Sequence, residues 1–429
     1  MKNRSPFPPV FWTANTIEIF ERFAYYGIFM GFGIYMENLK FTNTQIGVVQ
    51  SLFLMLSYLI PIISGTFADR YGFKKMLLVS YLLYLPAILS LLYTHTYSGI
   101  LLAMSGIGFA AGVFKPLVSA TIRSVTDKTN KTLGFGIFYQ MVNIGASLGP
   151  VLLGKLRVTS YEDSFKIAAA AIGVMFIVTF FFYKEPSREI QGETLGKKFR
   201  ELGIALSDYK FLIFLTLIGL FFWLPLWAFF ELLAEYVNFN IDNTTLYFNI
   251  KHVLGSGVAN FISSVDKYGV RHILGETIAH DGYVIIIFQI FVSTISEKSK
   301  PLSSFIIGLI ISALGFVFLG LAGIFAPSLV FLGIFLFATG EMVCSPRIQE
   351  YITWIAPKEK AGLYMGANNL AICLGALLSG VIYNSLFGVF REMNHPEYVW
   401  YTLAVHCIIG AAVIYLFTKT LGEFKEMVD

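Results

Sequence analysis

Charged side chains are scarce in this chain. Asp, Glu, Lys and Arg make up 14% of its 429 residues, where a soluble domain carries roughly 25%. Apolar residues reach 56%, and mean hydropathy is +0.69. The apolar runs are too many and too long for a soluble core, which excludes a soluble globular protein and points to a polytopic membrane protein.

Cysteine is also sparse. Cys344, Cys373 and Cys407 all lie in apolar runs and have no metal-ligand spacing, so a disulfide framework is excluded and packing is their expected role. The sequence has no P-loop, no HExxH and no zinc-type spacing, so neither an ATP-driven pump nor an enzyme is expected, and no cofactor is needed. A net charge of +4 is too small for a nucleic-acid partner. "MKNRSPFPPV" is polar and carries no small-residue cleavage site, so the first apolar run is expected to be a span and not a leader.

What is there is a series of apolar runs, each near the length of about 20 residues that a crossing needs. Twelve are read, at roughly 11–36, 45–68, 76–94, 99–122, 133–154, 165–183, 211–236, 280–296, 303–325, 328–355, 361–388 and 398–418. The loops on one side, with both termini, carry 20 Lys and Arg; the loops on the other carry 8, and three lie inside spans. The positive-inside rule places both termini in the cytoplasm. The longest cytoplasmic loop separates spans 6 and 7. It divides the chain into an N-terminal six-helix bundle (1–184), a linker (185–210) and a C-terminal bundle (211–429). That is the expected plan of a secondary transporter, an all-α multi-pass protein of the cytoplasmic (inner) membrane. The outer segment 237–279 is too polar and Gly-punctuated for a span; an amphipathic or lateral helix is expected in it.

A charge at the bilayer centre costs about 2.5–3.5 kcal/mol on insertion scales, so it pairs or faces a cavity. Glu18, Glu21, Arg22 and Tyr25 fall at i, i+3, i+4 and i+7, on one helical face. Arg22 and Glu18 are also spaced to pair at i, i+4. Lys115, Glu231, Glu341, Arg347 and Glu350 add further charges within later runs. Two readings are open. Either the stripe is a salt-bridge cluster locking helices together, or its carboxylates, with Lys115, take up and release protons. Burial favours a neutral carboxyl and a nearby cation favours a charged one, so the two together set proton affinity.

"EIFERFAYYG" (Glu18–Gly27) resembles the ExxERFxYYG motif of the proton-dependent oligopeptide transporters, a family of the major facilitator superfamily. "GTFADRYGFKK" (Gly65–Lys75) is similar to the superfamily's loop 2–3 motif. "VFKPLVSA" (Val113–Ala120), "FYQMVNIGASLGP" (Phe138–Pro150), "WAFFE" (Trp227–Glu231), "GEMVCSP" (Gly340–Pro346) and "APKEKAGLYMG" (Ala356–Gly366) resemble later motifs of the family in the same order.

The resemblance implies a major facilitator fold of twelve helices in two six-helix bundles. It implies proton-coupled symport of small peptides or peptide-like solutes by alternating access, with the proton as coupling ion and the chain working as a monomer in the lipid bilayer. Glu18, Glu21, Arg22 and Lys115 would serve coupling. Tyr25, Tyr26, Tyr58, Lys115, Asn143, Glu231, Glu341 and Asn368 would line the substrate site. Asp69 and Arg70 would gate, with Asp69 capping a neighbouring helix or pairing with Arg70 or Arg123.

The chain departs from the family at several positions. Phe29 stands where a carboxylate-binding Arg is usual, leaving Glu231 without its customary partner. Leu232 replaces a Gln, and Asn368 and Asn369 replace an aromatic. Arg347 is an added cation that either pairs with Glu350, binds an anionic substrate or closes a cytoplasmic gate. The alternative to peptides is therefore a same-fold transporter, importer or exporter, of an amphipathic lipid-like molecule, a drug or an organic anion.

Overall fold

The computed structural model describes residues 5–127, 129–186, 195–266, 268–355 and 361–424. The middle of the expected linker (187–194) and the first five residues of the motif at 356–366 lie outside these. Helices make up nearly all of the described chain, as they must where lipid offers backbone groups no partner. The chain forms two compact units. One takes residues up to Phe41 and Leu52–Leu195; the other takes Thr42–Ser51 and everything from Gly196 onward.

The first unit is built from α1 (Pro9–Asn38), most of α2 (Asn43–Tyr71), α3 (Phe73–Ser90), α4 (Tyr97–Ser124), α5 (Lys131–Thr159) and α6 (Tyr161–Phe182). Local chemistry marks the helix starts. Pro9 opens α1, where a missing N–H costs nothing. Thr96 accepts from the Gly99 N–H, and Ser160 from the Asp163 N–H, each capping its helix. α1 packs along α5 closely because α5 presents glycine to it. A methyl group built on Gly145 would lie 2.4 Å from the Ile19 carbonyl oxygen, and one on Gly149 would lie 2.2 Å from that of Phe23. Small residues of this kind let membrane helices approach backbone to backbone. The contact fixes the middle of α1, where its charges sit.

The second unit holds α7 (Leu195–Leu206), α8 (Tyr209–Ile218) and α9 (Leu224–Asn240), then α10 (Asn243–Phe261), α11 (Gly275–Ile278), α12 (Gly282–Ser296) and α13 (Pro301–Ile324). It ends with α14 (Leu329–Ile355), α15 (Ala361–Ser379), α16 (Ser385–Glu392) and α17 (Tyr398–Thr420). A π-helical turn, Gly219–Trp223, joins α8 to α9, and another, Gly380–Asn384, joins α15 to α16. Such turns are rare and often found at functional sites.

Eleven helical segments among the described residues are long and apolar enough to cross a membrane. α1, at thirty residues, is long enough but carries Glu18, Glu21 and Arg22 and is not among the eleven; twelve are expected from the sequence.

The segment 237–279 differs in part from its sequence reading. α10 is the expected extra helix, capped by Asp242 and bent at Gly255 with φ +83°. A short antiparallel hairpin follows, Ser263–Val265 against Arg271–Ile273. The next crossing then begins at Gly275 and not at 280. Gly275 lies against the Ala234 carbonyl, where a Cβ would come within 2.2 Å, and its N–H donates to Asn238 at 3.0 Å. Polar residues enter the apolar layer here because Asn238 also donates to Glu276, at 3.2 Å.

Candidate functional site

In the first unit the α1 stripe is fully withdrawn from solvent. Glu18 and Glu21 are 0% exposed and Arg22 8%. Arg22 Nε lies 2.7 Å from Glu18 and 3.3 Å from Glu21, so one guanidinium serves both acids. Tyr84 of α3 donates its hydroxyl to Glu21 at 2.6 Å. Nothing in the apolar run around Tyr84 distinguishes it, and the sequence reading missed it.

Lys115 does not reach the acids by a hydrogen bond. Its ammonium sits 3.6 Å from the centre of the Tyr58 ring and 4.8 Å from that of Tyr25. That nitrogen is buried and has no hydrogen-bond acceptor among the described residues. Aromatic faces therefore hold the cation electrostatically without satisfying its donors. The cluster around α1 thus contains two acids and two cations, with one cation shared between the acids and the other held on rings. Tyr26 packs edge-on against Tyr25 with ring centres 5.1 Å apart. Asn143 of α5 is buried, and its amide donates to the Tyr139 carbonyl. Phe29 stacks on Phe53 at 5.3 Å, and Phe53 lies 4.8 Å from Tyr25. An aromatic layer fills the place where the resembled family has an Arg.

In the second unit Glu231 of α9 is 2% exposed and accepts from Ser379 of α15 at 3.0 Å. A neutral hydroxyl stands where the resembled family supplies a cation. Glu341 of α14 lies within hydrogen-bond reach of Asp281, which immediately precedes α12. Asn368 of α15 is buried, and its carbonyl oxygen meets no donor among the described residues.

The gating residues divide. Arg347 donates through Nη1 to Glu350 and through Nη2 to the Ser299 carbonyl at 2.6 Å. This is the Glu350 pairing among its three sequence readings, with a loop carbonyl added. Arg70 lies over the Tyr71 ring at 5.4 Å. The start of α3 is capped by Glu185, whose two oxygens accept from the Phe73 and Lys74 N–H groups, each at 2.8 Å. A carboxylate at a helix N-terminus is favoured by the dipole as well as by these bonds. The sequence offers Asp69 for a cap or for pairing with Arg70 or Arg123; Glu185, in the expected linker, is not distinguished there.

Two membrane-buried polar clusters in an otherwise apolar helical chain are the equipment of a transporter. The model of the Major Facilitator Superfamily matches residues 16–275. The chain belongs to the Major Facilitator Superfamily. It is a multi-pass transporter of the cytoplasmic (inner) membrane and not an enzyme. The quinolone resistance protein NorA of Staphylococcus aureus (strain MRSA252) is 23% identical to it over 401 residues, 91% of this chain and 94% of that protein. A solved POT family transporter in complex with a thioalcohol conjugated peptide matches at a TM-score of 0.75 and 19% identity, over 96% of each chain. The nucleoside transporter NupG matches at 0.74 and 12% identity, over 95% of this chain and 99% of that one. At these identities the structures share the superfamily fold with the chain, and the substrate must be argued from its own residues.

Proposed function

We propose that the protein is a proton-coupled symporter of small peptides or peptide-like solutes working by alternating access. The observation that carries this is the α1 cluster. Two buried carboxylates share one guanidinium, while a second buried cation, Lys115, rests on Tyr25 and Tyr58 without a hydrogen bond. A static lock would pair every charge. Here Lys115 retains donors for a new acceptor, and the acids are placed to exchange a proton when that acceptor arrives. In this reading Glu18, Glu21, Arg22 and Lys115 couple the proton. Tyr25, Tyr26, Tyr58, Asn143 and again Lys115 meet the substrate in the first unit, with Glu231, Glu341 and Asn368 doing so in the second.

A second reading has its own observation. Phe29, Phe53 and Tyr25 form an aromatic layer where a carboxylate-binding Arg is expected, and Glu231 is held by Ser379 instead of a cation. That lining suits an amphipathic, lipid-like or drug-like molecule, in keeping with likeness to a quinolone resistance protein.

The test is uptake by reconstituted protein under an inward proton gradient, with a dipeptide and tripeptide library. Accumulation of at least one peptide supports the peptide reading; absence of both uptake and thermal stabilisation for all of them overturns it. Glu21→Gln is expected to abolish gradient-driven uptake and to leave counterflow exchange. Gradient-driven accumulation that survives both Glu21→Gln and Glu18→Gln would refute the coupling assignment.

A further inference from the structure

The second unit contains a buried pair of acids that the coupling scheme above does not use. Asp281 is 1% exposed. It is carried into the bundle by the polar turn that begins where Gly275 meets Ala234 and continues to His280, whose ring lies 6.0 Å from that of Phe230. The Asp281 carboxyl faces that of Glu341, within hydrogen-bond reach. Two carboxylate oxygens cannot hydrogen-bond to each other unless one carries a proton.

Among the described residues, no cation neutralises the pair. His280 is the nearest candidate, with Nδ1 3.6 Å from Asp281. Its Nδ1 accepts the Gly282 N–H at 2.7 Å. A nitrogen that accepts a hydrogen bond carries no proton, so the ring is the neutral tautomer protonated at Nε2 and brings no positive charge. The π-helical turn before α9 contributes Phe222, α9 contributes Leu226 and Phe230, and α13 contributes Leu309 and Ser312. α17 contributes Cys407, and the next turn of α14 contributes Cys344. Glu276, on the same turn as His280, is engaged by Asn238. Asp281 is a charged group that bears directly on Glu341. One oxygen of each acid, Asp281 Oδ2 and Glu341 Oε2, is buried with no hydrogen-bond partner. Two bare carboxylates a hydrogen bond apart in this setting would repel strongly, because a buried site screens their charges far less than water does.

We infer that Asp281 and Glu341 form a second proton-binding site, a carboxyl–carboxylate pair that holds one shared proton inside the second unit. The proton lies between one oxygen of each acid, and its loss leaves two adjacent anions. A small cavity beside Glu341, lined in part by Ser312 and Phe337, gives the pair room to part when that happens. The site deepens the reading of the protein as proton-coupled, but the pair itself stands on its own geometry.

The experiment is pH-difference infrared spectroscopy of the full-length protein reconstituted in lipid, which detects the C=O stretch of a protonated carboxyl directly and requires no substrate. In a background carrying Glu231→Gln, which removes the other isolated buried acid of this unit, the protein is expected to show a protonated-carboxyl band that disappears on raising pH. Asp281→Asn and Glu341→Gln are expected each to abolish it, because the introduced amide donates to the remaining carboxylate and keeps it ionised. Glu21→Gln is expected to leave it intact. A band surviving in either single variant, or absent from the Glu231→Gln background at every pH, overturns the proposal. Should a single variant fail to fold, the double variant Asp281→Asn/Glu341→Gln replaces the pair by two amides that still bond to each other. Its band must then be lost, and persistence refutes the assignment. Loss of coupled transport in Glu21→Gln with this band unchanged separates the two proton sites, so either can fail alone.

Discussion

Ser379 of α15 donates its hydroxyl to Glu231 of α9 at 3.0 Å, with both side chains shut off from solvent. Among the described residues no cation accompanies Glu231, so this hydroxyl is what the structure provides to satisfy the buried acid. Ser379→Ala removes the donor and leaves the acid in place, a change worth about 1–3 kcal/mol when a buried group loses its partner. The variant is expected to melt at lower temperature than wild type in detergent, and Glu231→Gln, whose side-chain carbonyl still accepts from Ser379, is expected to melt close to wild type. Equal melting of all three would show that the bond contributes nothing.

Arg22 presents a larger effect of the same kind. Its guanidinium lies 2.7 Å from Glu18 and 3.3 Å from Glu21, and both acids are fully buried. Removing one partner of a buried ion pair costs about 3–5 kcal/mol because the other is left uncompensated. Arg22→Ala is expected to lower the yield of folded protein sharply. Restoring neutrality with Glu18→Gln in the same chain, which leaves Glu21 beside Lys115, is expected to recover part of that yield. Size-exclusion chromatography of wild type, single and double variant decides it, and no recovery in the double variant would argue that Arg22 acts through packing and not charge.

The charges of α1 were legible in the sequence because helical spacing alone places Glu18, Glu21 and Arg22 on one face. Lys115 was legible as a buried cation, but its neighbours were not. Whether a cation meets an acid or an aromatic ring depends on how α1, α2 and α4 rotate against each other, and this is set by contacts such as Gly108 of α4 against the Phe53 carbonyl of α2. The segment after α9 misled for a different reason. Glu276, His280 and Asp281 count as solvent-seeking in any hydropathy window, yet they are buried. The Asn238 amide, the Gly282 N–H and Glu341 give them partners that only the fold brings near.

Arg347 tests whether an added cation is a ligand or a brace. It donates to Glu350, three residues along the same helix, and to the Ser299 carbonyl in the turn between α12 and α13. A guanidinium engaged on two sides is a brace. Arg347→Ala is expected to lower thermal stability and to leave affinity for acidic substrates within twofold of wild type. A selective fall in affinity for acidic over neutral substrates, measured by competition, would return Arg347 to the substrate site.

The pH response of the extra helix α10 follows from its cap. Asp242 accepts from the Thr244 and Thr245 N–H groups at 3.1 and 3.0 Å and from the Thr245 hydroxyl at 2.6 Å. The hydrogen bond from the Thr245 hydroxyl, followed by that from its N–H, holds the Asp242 carboxyl below its ordinary value. A carboxylate with a lowered folded pKa contributes stability that is fully present above its unfolded pKa, about 3.9. That contribution is lost as pH falls through the lower folded value. α10 is therefore expected to keep its amide protection at neutral pH and to lose part of it in acid, after correction for intrinsic exchange. Asp242→Ala is expected to lower protection at neutral pH by about 1 kcal/mol, the usual worth of an N-cap, and to remove the acid-dependent part. Hydrogen exchange of the α10 amides, followed by mass spectrometry across that pH range, measures both effects. Identical pH profiles in wild type and variant would show that the cap does not govern the helix.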